Sequence, residues 1–177
     1  MNPSPLIVAD LDEELGRHHR AAFGWALACC RWDRNVAEDV LQTSYLKIVD
    51  GRARFGGASE FRTFLFGVIR RTASEDRRRR AVRAVASLGM FDSEIDHVEP
   101  TGLMPIIRDE TSRELIAALE TLSARQRDVL HLVFYQELTI AAAAEILGIS
   151  VGSARAHYER GKANLRRILG DNGTDAE

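Results

Sequence analysis

Histidine and carboxylate side chains that can bind metals or transfer protons cluster near the start of the chain. They are Asp10, Asp12, Glu13, Glu14, His18 and His19. A small nuclease is one hypothesis, because imidazole and carboxylate groups serve as metal ligands and as general acids or bases. Their spacing, however, spreads them around an amphipathic helix, and no second ligand set recurs along the chain. We therefore expect a solvated polar face, with no metal site and no cofactor.

The rest of the chain offers little for redox or membrane chemistry. Its two cysteines, Cys29 and Cys30, are adjacent, so we expect no bridge between them, only small buried side chains in a reducing cytoplasm. No apolar run approaches the ~18 residues of a membrane span, and residues 1–9 lack a secretory signal. The expectation is a cytoplasmic protein without membrane insertion.

The charges are divided into blocks that the net charge of -2 conceals. Residues 61–83 contain eight arginines against two acids, Glu75 and Asp76. Residues 84–114 are mainly acidic, and residues 148–169 are basic again. Two basic blocks joined by an acidic connector favour a nucleic-acid partner.

Apolar residues recur at helical spacing through most of the chain, and no strand alternation is long enough to predict a sheet. All four prolines lie in the N-terminal tail or the connector. The expected fold is all-α, with two small helical domains joined by an acidic linker. We place the first domain at residues 10–83, the linker at 84–110 and the second domain at 111–169.

Short polar residues mark where the helices should begin. The expected cap residues are Asn35, Ser59, Ser123, Thr139 and Ser150. Ser123 and Gln126 have the spacing of a capping box. The apolar faces are predicted to include Phe64 in the third helix and Phe134 after the capping box.

Residues 139–160 have the layout of a DNA-reading helix-turn-helix. Gly148 can adopt the left-handed conformation of the turn, Ile149 can fill the angle between the helices, and Ser150 can cap the second helix with its amides toward a phosphate. Five residues of that helix could then face the major groove or its rims: Ser153, Arg155, Ala156, His157 and Arg160. The alternative is a plain helical hairpin with a solvated basic face.

An arginine run at residues 77–80 extends a helix that already carries Arg70 and Arg71. A cationic track that follows aromatic residues is typical of proteins that bind single-stranded nucleic acid. The alternative is a solvated face, with rings such as Phe61 and Phe64 serving as core packing.

Four segments together resemble a known family. They are AEDVLQ at residues 37–42, FRTFLF at 61–66, LSARQRDVL at 122–130 and EILGISVGS at 145–153. In this order and spacing, they are similar to segments of bacterial RNA polymerase sigma factors of the extracytoplasmic-function (ECF) type. The resemblance covers residues 10–83 and 111–169.

The resemblance implies a division of labour between the two domains. The first would bind the polymerase clamp through Glu38, Asp39, Gln42 and Thr43. It would also hold the melted minus-ten strand through Arg70, Arg71, Arg77, Arg78, Arg79 and Arg80. The second would read the minus-thirty-five duplex through Ser150, Ser153, Arg155, His157 and Arg160. The implied partners are core RNA polymerase and promoter DNA, with an anti-sigma factor or a serine/threonine kinase as regulators, and the catalytic residues would be the polymerase's.

Some residues depart from the family pattern. Arg71 stands where many relatives have asparagine, and Ala156, His157 and Glu159 differ from frequent choices, so promoter preferences cannot be carried over. Thr43 stands where many relatives have an acid, which makes it a candidate phosphorylation site. The alternative function is a helix-turn-helix regulator that binds duplex DNA without being a polymerase subunit, although such a protein has no need of the first basic block.

Overall fold

The chain is helical in both of its halves. Its structure, a computed structural model, describes residues 8–87, 118–119 and 121–171, and no strand occurs among them. Cα packing divides the chain into two units, Met1–Gly102 and Leu103–Glu177. The prediction of an all-α fold with two helical domains is confirmed. Most of the predicted linker lies outside the described residues.

In the described part of the first unit, residues 8–87, three helices pack against one another. They are α1 (Val8–Cys29), α2 (Arg34–Val49) and α3 (Phe61–Ser87). Trp25 of α1 is fully buried, and its indole Nε1 donates a hydrogen bond to the Phe66 carbonyl at 3.1 Å. The two rings also stack, with 6.1 Å between centroids. This contact satisfies the polar edge of a large buried ring and fixes α1 against α3.

The turn between α1 and α2 differs from the sequence prediction. Asp33, not Asn35, caps α2: its Oδ1 accepts a hydrogen bond from the Val36 amide at 3.0 Å. The preceding residues Arg31 and Trp32 both have left-handed backbones, with φ of 54° and 65°. These two residues reverse the chain within a few positions, so the helix begins earlier than a cap at Asn35 would allow.

The connection from α2 to α3 carries two left-handed glycines, Gly51 and Gly57, at φ of 70° and 69°. Gly51 ends α2 as the sequence indicated. The third helix begins at Phe61, two residues after Ser59, and continues through Ser87. It therefore extends four residues beyond the limit that the sequence suggested for the first domain.

The second unit contains α4 (Ala124–Leu130), a π-helical turn (His131–Tyr135), α5 (Ile140–Leu147) and α6 (Val151–Asp171). Its local signals match the prediction. Ser123 and Gln126 form a complete capping box, and Thr139 caps α5. Gly148 adopts the left-handed conformation at φ 61°, and the Ser153 amide donates to Ser150 Oγ at 3.1 Å. The helix-turn-helix geometry thus follows from short-range chemistry.

Phe134 was predicted to be part of an apolar face, and that prediction is wrong. Its side chain is 59% exposed. The Gln136 amide donates to the His131 carbonyl, five residues back, at 3.0 Å. This wider turn changes the register of the helix, so Leu132 and Leu138 are buried instead.

Candidate nucleic-acid and polymerase interfaces

A pocket of about 330 Å³ opens between the end of α2, the loop that follows it and α3. Its charged lining residues are Lys47, Arg52, Arg54, Arg71 and Glu75. Four cations against one acid give the pocket a net positive charge. Such a cavity attracts anions, and its size suits a group larger than a water molecule.

An aromatic ring forms one wall of this pocket. Phe64 was expected to be core packing; its ring does pack against neighbouring rings, but it is only half-buried and also lines the pocket. Its ring lies 5.4 Å from that of Phe55 and 5.9 Å from that of Phe61. Phe61 itself is buried as predicted. Phe64 therefore offers an apolar surface beside the cations.

An ion pair joins α2 to α3 at the side of the pocket. Lys47 Nζ donates to Glu75 Oε2 at 2.7 Å and to Thr72 Oγ1 at 3.1 Å. The Lys47 side chain is only 18% exposed, whereas that of Glu75 is 44% exposed. The hydrogen bond from Lys47 holds the pKa of the Glu75 carboxyl below its usual range. Glu75 is therefore an ionised acceptor at neutral pH.

The arginine run does not form a single face. At about 100° per residue, Arg78 lies within about 20° of Arg71 and hence above the pocket, whereas Arg80 lies on the opposite side of α3. Arg80 Nε donates to Asp76 Oδ2 at 2.7 Å. Arg77, Arg78 and Arg79 are exposed. At the same spacing, Arg79 lies closest to the middle of the α3 side chains that line the pocket, and Arg78 lies at their Arg71 edge.

The structure separates the six arginines that the sequence assigned to one strand-binding site. Arg71 lines the pocket, while Arg70 is half-buried on the next side of α3. The sequence interpretation missed Lys47, Arg52, Arg54 and Glu75. Arg52 and Arg54 carried a signal, since they stand in the glycine-bounded loop after α2, ahead of the basic block at residues 61–83.

The outer face of α2 combines acidic and apolar side chains. Asp39, Gln42, Leu46 and Val49 recur at helical spacing and are all exposed, with Leu46 at 50% and Val49 at 58%. Glu38 is also exposed, and its Oε1 accepts from Arg34 Nε at 2.9 Å.

Thr43 is half-buried at the edge of this stripe, one turn after Asp39. The structure thus brings together the four residues proposed from sequence and adds Leu46 and Val49, which lie outside the buried face of α2. An exposed surface of this kind suits a protein partner better than nucleic acid, because its charged side chains on this face are acids.

Helix α6 presents its predicted DNA-facing residues on two flanks. Ala154 and Gly161 are buried against the rest of the unit. Arg155 lies on one flank of the exposed surface, and Ser153, His157 and Arg160 lie on the other. Arg155, Ser153 and Arg160 are exposed, whereas His157 is half-buried.

The start of α6 is held in position by its cap. Ser150 Oγ accepts from the Ser153 amide and also donates to Ser153 Oγ at 2.9 Å. On α4, Arg125 Nη1 donates to the Leu147 carbonyl at 3.3 Å, which ties α4 to the end of α5. Both contacts stabilise the turn between α5 and α6, which sets the orientation of α6.

The two histidines near the N-terminus have separate environments. His18 stacks on Phe61 at 6.2 Å between centroids and lies 3.5 Å from Glu14, and burial lowers its pKa. His19 Nδ1 is 3.1 Å from the Tyr45 hydroxyl. Within the described ranges, no three histidine, cysteine or acidic residues are placed to hold a metal ion. No helix in those ranges is long and apolar enough to cross a membrane.

Comparison with known proteins connects both units to one family. The family model for sigma-70 region 2 matches residues 15–83, and that for sigma-70 region 4 matches residues 112–165. Over 140 residues the chain is 30% identical to the ECF RNA polymerase sigma factor SigX of Bacillus subtilis (strain 168), covering 77% of this chain and 72% of SigX. It is 27% identical over 163 residues to the RNA polymerase sigma factor CarQ of Myxococcus xanthus, covering 92% and 91%.

A solved structure shares the fold. The sigma factor RpoE of Bartonella quintana, in complex with the anti-sigma factor NepR, superposes with a TM-score of 0.70 at 24% identity, covering 92% of this chain and 98% of RpoE. The matches to the region 2 and region 4 family models, together with the 30% identity to SigX, define the class of protein as a sigma-type initiation subunit. The chain belongs to the sigma-70 family as an ECF-type sigma factor, which directs RNA polymerase in transcription initiation. A regulator with only a duplex-binding domain is not favoured, because the first unit matches region 2.

Proposed function

We propose that this sigma factor contacts core polymerase through α2, the melted minus-ten strand through the pocket and α3, and the minus-thirty-five duplex through α6. The observation that carries the proposal is the cationic pocket beside Phe64, with Arg78 on the same side of α3. Cations bind the phosphates of a strand, and an aromatic wall stacks on a base.

The single-stranded site is supported by the volume and charge of the pocket. A base that is still paired in a duplex cannot enter a cavity of about 330 Å³, whereas an unstacked base can. Arg71 lines the pocket, and Arg78 lies about two turns further along α3. This spacing allows the two side chains to contact successive phosphates of one DNA strand. Arg70, Arg77, Arg79 and Arg80 add to the local positive field, although Arg80 pairs with Asp76.

The duplex-binding role is supported by the start of α6. Ser150 and Ser153 form its capped first turn, where amide groups and the helix dipole favour a phosphate. Arg155 lies close behind, in the part of a recognition helix that reaches base edges. His157 and Arg160 lie on the other flank, where they would contact the opposite rim of the groove.

The clamp-binding role is supported by the acidic and apolar stripe of α2. Glu38 and Asp39 supply charge for basic residues of the polymerase, while Gln42, Leu46 and Val49 supply a surface to bury. Thr43 is proposed as a phosphorylation site, since phosphate would add about -1.5 to -2 charge next to Asp39. A serine/threonine kinase would then raise the affinity for polymerase.

An anti-sigma factor is proposed as a second regulator. The Bartonella quintana protein of the same fold is in complex with the anti-sigma factor NepR. We further propose that the chain has no catalytic residues and acts in the cytoplasm, where the polymerase carries out the chemistry.

Run-off transcription on genomic fragments tests the proposed function. Purified core polymerase is incubated with and without the full chain, and start sites are mapped. We expect site-specific starts that require the chain. If cognate core polymerase shows no stimulated start at any fragment, the proposed function is wrong.

A further inference from the structure

The pocket between α2 and α3 is lined by one carboxylate, a hydrogen-bond acceptor, and by several cationic side chains, which are donors. Glu75 stands one turn along α3 from Arg71, and Lys47 bonds both Glu75 and Thr72. We infer that Glu75 is a specificity-determining residue, which makes the pocket select an unstacked base with an exocyclic amino group over thymine. This inference rests on the proposed minus-ten role of the pocket.

The geometry of the ion pair leaves Glu75 able to accept another hydrogen bond. Lys47 engages Oε2, and a carboxylate has a second oxygen with its own lone pairs. The side chain is 44% exposed, so this oxygen can be reached from the pocket that Glu75 lines. The carboxylate therefore offers an acceptor in a constant position.

The Glu75 carboxylate should prefer bases that carry an exocyclic amino group over thymine. Cytosine N4, adenine N6 and guanine N2 are amino groups that donate hydrogen bonds, whereas thymine carries the O4 carbonyl at the position where cytosine carries N4. A carboxylate attracts the amino group. In an unpaired thymine the N3–H donor lies between the O2 and O4 carbonyls, and a carboxylate that approaches it is repelled by both oxygens. The neighbouring Arg71 and Lys47 can donate to the ring nitrogen or carbonyl acceptors of the same base.

Lys47 acts as a positioning residue for this contact. Its side chain is mostly buried, and its Nζ donates hydrogen bonds to Thr72 Oγ1 and Glu75 Oε2, which lie about one turn apart on α3. A carboxylate fixed by such an ion pair loses less rotamer entropy when it binds a base. Its position is set by the packing of α2 on α3, which the ligand does not have to create.

A phosphate is the competing occupant of a cationic pocket, and Glu75 argues against it. An ionised carboxylate repels a phosphate, while it attracts an amino group. Arg52 and Arg54 also line the pocket and are exposed. Arg52 Nη2 donates to Asp50 Oδ2 and Arg54 Nε donates to the Gly51 carbonyl, and each guanidinium has further N–H groups for the backbone on either side of the base. The pocket interior is therefore assigned to the base and its rim to the phosphates.

A promoter library tests the assignment. The minus-ten element is randomised and transcribed by holoenzyme containing the wild type, Glu75→Gln or Asp76→Asn, and start-competent sequences are counted. Gln can either donate or accept, so it should tolerate thymine while keeping a hydrogen bond to Lys47. Asp76→Asn is the matched control, because it removes the adjacent carboxylate, which pairs with Arg80 on another side of α3.

We expect the wild type and Asp76→Asn to favour one amino-bearing base over thymine at one position by about tenfold. Glu75→Gln should reduce this preference to about twofold or less while leaving the other positions unchanged. An unchanged preference in Glu75→Gln overturns the inference and leaves the proposed function intact. A wild type that shows no preference anywhere in the element overturns the proposed minus-ten role itself.

A base analogue gives a second readout. The favoured base in the non-template strand is replaced by one that lacks only its exocyclic amino group. The wild type should lose about tenfold in open-complex formation, and Glu75→Gln should lose little. Equal losses in both proteins would show that the amino group is recognised elsewhere and would contradict the role of Glu75.

Discussion

Arg80 and Asp76 form an ion pair one turn apart on α3, with 2.7 Å between Nε and Oδ2. The pair lies on the side of the helix opposite Arg71 and Arg78. A run of four arginines that looks uniform in sequence therefore contains residues with different surroundings. Arg78 lies above the pocket, whereas Arg80 is held by a carboxylate.

Substitution of these two arginines should have unequal effects. Arg78→Gln should weaken open-complex formation and reduce the slope of log affinity against log salt by about 0.7, the value for one phosphate contact with a single strand. Arg80→Gln should have a smaller effect, since Asp76 already offsets its charge. Permanganate footprinting of promoter melting across a salt series measures both, and equal effects would contradict the placement of Arg78.

Local features of this fold could be predicted from the sequence, whereas contacts between distant residues could not. Capping at Ser123, Thr139 and Ser150 was predicted because a cap depends on residues three positions apart. The Lys47–Glu75 pair spans 28 residues and depends on how α2 packs on α3, so no local pattern indicated it.

At two further positions the structure differs from the sequence prediction because of local backbone conformations that composition does not reveal. Arg31 and Trp32 are residue types that rarely adopt positive φ, so the early cap of α2 at Asp33 was missed. The π-helical turn contains an ordinary apolar sequence, yet it moves Phe134 to the surface, where its ring stacks on Tyr158 at 5.6 Å. Periodicity assumes a constant number of residues per turn, and this turn breaks that assumption.

The two flanks of α6 should contribute differently to duplex binding. Arg155 is near the start of the helix, where side chains reach base edges, so Arg155→Ala should cost about 1–3 kcal/mol and relax the preference at one base pair. Arg160→Ala should weaken binding to all sequences alike and reduce the salt slope by about 0.9. Fluorescence anisotropy with duplex variants distinguishes them, and a uniform loss in both would contradict a base contact by Arg155.

Thr43 provides a test of regulation on α2. Thr43→Glu, or kinase treatment of the wild type, should raise the affinity for core polymerase, because added negative charge beside Asp39 strengthens attraction to a basic partner. Thr43→Ala should bind like the untreated wild type and should not respond to the kinase. A polymerase-binding titration compares them. Equal affinity in every case would leave α2 as a passive binding helix.

Gly161 permits the close approach of α6 to α4. A Cβ at this position would lie 2.8 Å from Leu130 Cδ1 and 3.3 Å from Leu130 Cγ. Gly161→Ala should therefore destabilise the second unit by about 1–3 kcal/mol, because Leu130 is buried and must shift.

Gly152 is the matched control in the same helix. A Cβ there would meet only Ser150 Oγ, at 3.9 Å, so Gly152→Ala should stabilise α6 by about 0.5–1 kcal/mol. Hydrogen exchange of peptides from α4 and α6 separates this unit from the first. Similar protection in Gly161→Ala and Gly152→Ala would show that Leu130 yields without cost.

The stability of the second unit should depend on pH through His131. Burial in the π-helical turn lowers the pKa of His131 to about 4, from 6.5 in the unfolded chain. Between these values the unfolded chain binds a proton that the folded unit excludes, so stability is fully present above about pH 6.5 and falls by up to about 3 kcal/mol as the pH drops toward 4. His131→Asn has no group that titrates in this range, and it should remove most of that slope. Hydrogen exchange of α4 between pH 7 and 4, corrected for the intrinsic exchange rate, measures it, and an unchanged slope in the variant would assign the pH dependence to other groups.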